Sequence, residues 1–146
     1  MSLIHLKDVN KTYQGAQPLH VLKGIDLDIE RGEFVSIMGA SGSGKTTLLN
    51  CISTIDTVTS GHIYVEEKDI TALHGAQLAD FRGKKLGFIF QNYLLMPELT
   101  ALENACLASS IGRRPRVEYV RELMERVGLS HRLNHLPSEL SGGEQQ

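Results

Sequence analysis

The chain opens on alternation. Residues 3–9 set Leu3, His5, Lys7 and Val9 against Ile4, Leu6 and Asp8, and residues 21–29 set Ile25, Leu27 and Ile29 against Asp26 and Asp28. A period of two marks a half-buried strand. The turn-rich link through Gln14, Gly15, Ala16, Gln17 and Pro18 therefore predicts two antiparallel strands with one wet face. Tyr13 closes the first strand. There it is either a core or rim aromatic or a stacking platform for a base, and spacing alone favours the first reading.

The pattern then changes to short continuous apolar runs. Residues 33–38 and 86–90 read as buried strands of a parallel sheet, the second ending at Gln91. Between them, Leu48, Leu49 and Ile52 recur at helical spacing, and Thr59, Ser60 and Gly61 punctuate before a short strand at residues 62–65. Asp69, Ile70 and Thr71 are placed to begin a helix with Leu73, Leu78, Ala79 and Phe81 on its apolar side, and residues 82–85 to break it. Beyond Gln91, Tyr93, Leu94, Leu95, Met96 and Pro97 are apolar without period. Thr100 reads as an N-cap, with Glu103 completing a capping box for a helix carrying Leu102, Ala105, Cys106 and Leu107. Val117, Val120, Leu123, Met124 and Val127 form the apolar stripe of a further helix that Gly128 ends.

The chemistry sits at the junction between the first apolar run and the helix after it. Gly39, Ala40, Ser41, Gly42, Ser43, Gly44, Lys45 and Thr46 satisfy every fixed position of G-x-x-x-x-G-K-[ST]. Wrapping a polyphosphate in consecutive backbone N–H groups demands conformations that glycine reaches cheaply, with no side chain in the way. The helix start directs its positive end at the same phosphates. Lys45 brings a full charge to the β- and γ-phosphates, and the Thr46 hydroxyl is a Mg²⁺ ligand. The expectation is a nucleoside triphosphate site. Near the end of the chain, Ser141, Gly142 and Gly143 open a polar helix start, a weaker second anion cradle by the same logic.

Composition excludes more than it adds. With 146 residues, 41% hydrophobic and 22% charged, the chain is an ordinary globular sequence large enough to bury a core unaided. A formal net charge of −2 offers no electrostatic case for nucleic acid, and Arg113, Arg114 and Arg116, lacking interleaved aromatics, read as a solvated loop. Cys51 and Cys106 lie in apolar helical stretches and read as reduced core thiols. The alternating start carries no signal peptide, and no apolar run approaches the about 20 residues a membrane helix needs.

Taken together, Tyr13, the loop at residues 39–46, Gln91 and the run Leu140, Ser141, Gly142, Gly143, Glu144 and Gln145 resemble the ATP-binding subunit of ABC transporters. Gln91 falls 46 residues beyond Lys45 and Ser141 falls 50 beyond Gln91. Residues 88–104 look closest to the branch serving lipoprotein release, macrolide-type export and related permeases. The resemblance implies an α/β fold: a P-loop NTPase core with an antiparallel β subdomain over residues 1–91, and an α-helical subdomain over residues 92–146. It also implies ATP and Mg²⁺ as cofactors, with Tyr13 stacking on adenine, residues 39–47 (Thr47 included) holding phosphates, and Thr46 and Gln91 on the metal. Ser141, Gly142 and Gly143 would cap the γ-phosphate of ATP held by a second copy or a paired ATPase subunit. Gln91 and the apolar segment after it would meet an integral membrane permease subunit, which places the protein on the cytoplasmic face of the cell membrane.

The chain departs from the family pattern at its end, three residues past Gly143. No position matches the apolar strand with its Mg²⁺-linked aspartate, the catalytic glutamate or the switch histidine, and Glu144 belongs to the signature. The expectation is the N-terminal portion of such a subunit, with the C-terminal part of the parallel sheet missing and an open apolar edge. Such a chain by itself is expected to fold poorly, bind ATP weakly and not turn it over. A non-hydrolytic ATP-binding remnant or regulator is the alternative; a P-loop kinase or GTPase fits neither Gln91 nor the Ser-Gly-Gly element.

Overall fold

A computed structural model describes residues 2–110 and 116–146, with the side chains of 108–110 left out; Arg113 and Arg114 of the basic loop lie outside the described residues. Two compact units divide the chain, residues 1–87 and 88–146.

In the first unit, β1 (Ser2–Tyr13) and β2 (Leu19–Glu30) pair antiparallel as the alternation predicts. Strand β3 (Ser60–Val65) joins the other side of β1, and the two-residue β4 (Lys68–Asp69) completes an antiparallel sheet in the order β2-β1-β3-β4. Glu66 and Glu67, at φ 49° and 68°, form the tight turn between β3 and β4. The sheet's inner face packs on helix α1 (Lys45–Ile52) and helix α2 (Gly75–Lys85) through Leu6, Val9, Leu22, Leu48, Ile52, Ile63 and Phe81.

One detail of β1 corrects the plain alternation. Leu6 and Val9 are both fully buried, although an odd spacing puts them on opposite faces of a regular strand. The register shifts between them, and Asp8 takes φ 47° there. This bulge flips the phase of the strand, so Val9 and Lys11 point to the core side that Leu6 began. Gly61 crosses the bulge at φ 87°, where an added Cβ would lie 2.1 Å from the carbonyl oxygen of Asp8.

Helix α2 also differs from the sequence expectation at both ends. It starts at Gly75 rather than near residue 70, because Asp69 pairs in β4 and its carboxylate accepts from the backbone N–H and hydroxyl of Thr71 at 2.9 and 2.5 Å. It runs through Gly83 to Lys85 instead of breaking at residue 82. A single glycine costs a helix only about 1 kcal/mol, and the Asp80–Lys84 pair at 2.7 Å, with basic residues in the last turn, favours continuation.

The larger correction concerns the two apolar runs expected as parallel strands. Neither 33–38 nor 86–90 forms a strand among the described residues. Phe34, Met38 and Ile89 are 98%, 87% and 86% exposed. A strand exists only through its ladder partner, so apolar composition states a demand for burial without supplying the neighbour that meets it.

In the second unit, α3 (Ala101–Ser110) and α4 (Val117–Arg126) pack together around Ala101, Val120, Met124 and Leu140. The capping box at Thr100 and Glu103 forms as read: Thr100 N–H and hydroxyl both donate to Glu103 Oε2 at 2.8 Å. The stripe on α4 is only partly core, since Val117, Leu123 and Val127 stay exposed. Turns of 3₁₀ helix at Ser130–Arg132 and Pro137–Glu139 lead to the four-residue α5 (Gly142–Gln145). No disulfide joins Cys51, which is buried, to Cys106.

Candidate functional site

The glycine loop enters α1 over two left-handed residues, Gly42 at φ 76° and Gly44 at φ 92°. Gly44 must also lack a side chain for a packing reason. A Cβ there would stand 3.1 Å from Val21 Cγ1 and 3.2 Å from Leu22 Cδ2, so the loop lies directly on β2. Gly39 is close to its own loop, with an added Cβ 2.8 Å from Ser43 Oγ. Gly44 is the N-cap of α1 but makes no side-chain cap, and no acidic residue occupies the first turn. The first turn thus presents uncapped N–H donors and the positive end of the helix, with no carboxylate competing for them.

Lys45 folds back over the loop. Its Nζ donates to the carbonyl oxygens of Gly39 at 2.9 Å and Ala40 at 2.7 Å, and reaches Ser43 Oγ at 3.5 Å. The ammonium therefore sits where the loop closes. Thr46 is exposed beside it and Thr47 is half-buried. Tyr13, Leu19 and Val21 join Gly42, Ser43, Gly44, Lys45, Thr46 and Thr47 around an open depression of about 270 Å³. The structure thus brings Tyr13 and the loop together in one unit.

Behind Tyr13 lies a polar cluster that sequence reading missed. The Tyr13 hydroxyl donates to Asp56 Oδ2 at 2.8 Å, and Lys11 Nζ donates to Asp56 Oδ1 at 2.6 Å and to the Thr57 carbonyl at 2.6 Å. Burial pushes the Asp56 carboxyl up, but the bonds from Lys11 and Tyr13 outweigh it and hold the group below the usual carboxylate range. Lys11 shares its face with Val9 and Tyr13, a period-two clue in the sequence. Asp56, 45 residues away, leaves no local signal.

Gln91 belongs to the second unit and is exposed at the start of the aperiodic segment. Tyr93, Leu94 and Met96 in that segment are exposed, and Leu94 takes φ 51°. Asn104, also missed, holds the segment in place. Its Oδ1 accepts from Met96 N–H at 2.8 Å, and its Nδ2 donates to the carbonyls of Met96, Leu99 and Thr100 at 3.1, 2.9 and 3.1 Å.

Ser141 caps α5 by a reciprocal box, its N–H donating to Glu144 Oε2 at 2.7 Å and its Oγ accepting from Glu144 N–H at 3.4 Å. Arg132 Nε donates to Glu144 Oε1 at 2.8 Å. The two Ser141 contacts, followed by Arg132, hold the Glu144 carboxyl at about 2. Gly142 faces the Tyr93 hydroxyl, 2.8 Å from where a Cβ would stand, and Gly143 has open space.

The sequence model of the family described as ABC transporter matches residues 22–146. The chain belongs to the ABC transporter family. It is 44% identical to the lipoprotein-releasing system ATP-binding protein LolD of Myxococcus xanthus, over all of this chain and 67% of that protein. It is 45% identical to the macrolide export ATP-binding/permease protein MacB of Aggregatibacter actinomycetemcomitans, over all of this chain and 23% of that protein. The chain thus spans about two thirds of the LolD relative and under a quarter of the MacB relative. Among solved structures, the dimeric post-hydrolysis state of the ATP-binding cassette MJ0796 bound to ADP and Pi superposes with a TM-score of 0.88 at 41% identity. That match covers 97% of this chain and 65% of the cassette, and makes the fold that of an ABC ATPase cassette.

Proposed function

We propose that this chain is the ATP-binding portion of an ABC transporter ATPase, working at the cytoplasmic face of a membrane beside an integral permease subunit. The observation that carries the reading is the cradle. Two left-handed glycines, an uncapped α1 and the Lys45 ammonium converge on one depression. Each element favours a polyphosphate for an independent reason: close backbone approach, aligned N–H dipoles, and charge.

In this reading the N–H groups of residues 39–47 bind the phosphates. Lys45 exchanges its loop carbonyls for β- and γ-phosphate oxygens, and Tyr13 stacks on the base. Magnesium keeps several waters and takes one or two protein donors plus phosphate oxygens; the Thr46 hydroxyl and the Gln91 amide oxygen are hard donors of that kind. ATP, once bound, supplies the transferable phosphoryl group. Ser141, Gly142 and Gly143 meet the γ-phosphate of ATP on a second copy. The exposed Tyr93, Leu94 and Met96 are the contact to the permease, as exposed apolar surface often marks an interface. No helix among the described residues is long and apolar enough to cross a membrane, and the relatives named for lipoprotein release and macrolide export support a partner that does. Hydrolysis of the bound ATP is the activity we assign to the protein, in line with its ABC ATPase cassette fold.

Equilibrium binding of Mg-ATP, with turnover measured on the same sample and Lys45→Ala as control, tests the reading. The expected result is saturable binding that the substitution weakens by more than about tenfold. Binding that Lys45→Ala leaves intact would overturn the assignment of the cradle.

A further inference from the structure

Lys11 is only 7% exposed, and lysine is rarely so buried unless it is paired. Its ammonium lies 4.8 Å from the centroid of the Tyr13 ring while it binds Asp56 and the Thr57 carbonyl at 2.6 Å each. The same carboxylate accepts the Tyr13 hydroxyl at 2.8 Å. Asp56 is itself fixed, its N–H donating to the Asn50 carbonyl at 3.1 Å and its Oδ1 accepting from Thr57 N–H at 2.7 Å. Tyr13 is thus gripped at two points, the hydroxyl and one face of the ring, yet stays 40% exposed on the rim of the phosphate depression.

A buried ion pair is weak evidence for stability, because desolvation offsets most of its Coulombic gain. Its geometry explains more. We infer that Lys11 and Asp56 are positioning residues that preset the Tyr13 ring for stacking with the base of a purine nucleotide. The inference rests on the reading of Tyr13 as the base platform.

Two physical effects follow from the grip. A ring already held in one orientation loses little side-chain freedom when a base stacks on it, so more of the stacking energy appears as affinity. The ammonium covers one face and leaves the opposite face for the ligand. It also draws electron density from that face, which favours contact with an electron-rich purine.

The test compares ATP with inorganic tripolyphosphate, which fits the cradle but has no base, by calorimetric titration of the whole chain. Tyr13→Ala is expected to weaken ATP roughly tenfold and to leave tripolyphosphate alone. Lys11→Met is expected to weaken ATP about fivefold, with tripolyphosphate within about twofold. Tyr13→Phe keeps the ring and the ion pair and loses only the hydroxyl anchor; it is expected to weaken ATP about threefold, again selectively. That variant decides the matter if Lys11→Met melts. Equal loss of both ligands in Lys11→Met with Tyr13→Phe unchanged would mean a clip that only ties β1 to the turn at residues 53–58, and would overturn the inference. Tyr13→Ala without effect on ATP would instead remove the platform reading, and the inference with it. Selective loss in Tyr13→Ala, but in neither Lys11→Met nor Tyr13→Phe, would overturn the inference and leave the platform standing.

Discussion

Arg132 Nε stands 2.8 Å from Glu144 Oε1, and the second oxygen of that carboxylate accepts the Ser141 N–H at 2.7 Å. One arginine thereby fixes the residue that fixes the start of the Ser-Gly-Gly element. Contacts with Ser141, and then with Arg132, lower the Glu144 carboxyl from 4.5 to about 2. A depressed carboxyl stabilises the fold in full above its unfolded value and loses that contribution as pH falls through the folded one. The cap is therefore expected to persist at pH 4 and to release between there and about pH 2. Carbon-detected NMR titration of Glu144, read beside the Ser141 amide shift, checks this. In Arg132→Ala the midpoint should move toward 4.5, since one of the groups stabilising the charged form is gone.

The Lys45 ammonium is expected to matter for the ligand more than for the fold. Its bonds in the free protein are to loop carbonyls at 2.7 and 2.9 Å on a solvent-facing segment. Lys45→Ala should shift the melting temperature little and weaken Mg-ATP by more than about tenfold, the scale of a charge-assisted bond. Equilibrium dialysis with a melt on the same preparation separates the two effects.

Gly61 and Gly75 both hold positive φ, 87° and 53°, but only Gly61 meets backbone. Gly61→Ala would place Cβ 2.1 Å from the Asp8 carbonyl oxygen, where no flexible side chain can yield. The expected cost is about 3 kcal/mol or more, against about 1 kcal/mol for Gly75→Ala, which carries conformational strain alone. Urea unfolding of the two variants checks the difference.

Asn104 makes four hydrogen bonds to the backbone between Met96 and Thr100. Asn104→Ala is expected to speed hydrogen exchange at the Met96 amide roughly tenfold or more, by removing its acceptor. The global melt should change little. Under the proposed function, ATP binding would be retained while coupling to the permease falls.

Much of this protein was legible because the signals are local. The period of two in β1 and β2, the capping box at Thr100 and Glu103, and the glycine–lysine loop before α1 each act within a few residues, where backbone sterics and hydrogen bonding dictate the outcome. The family follows from the same short motifs. Other features had to wait for the tertiary structure. The bulge at Asp8 reversed the strand phase and turned Lys11 inward, because Gly61, 53 residues on, lets β3 press against it. The partner of Lys11 and Tyr13 is Asp56, which only folding brings near. The runs at 33–38 and 86–90 have the composition of buried strands, but a strand is made by its neighbour's hydrogen bonds, and no pattern within a run contains that neighbour. Sequence alone determined where the glycine–lysine loop and the helix start after it lie. The three-dimensional packing decided which side chains hold them in place.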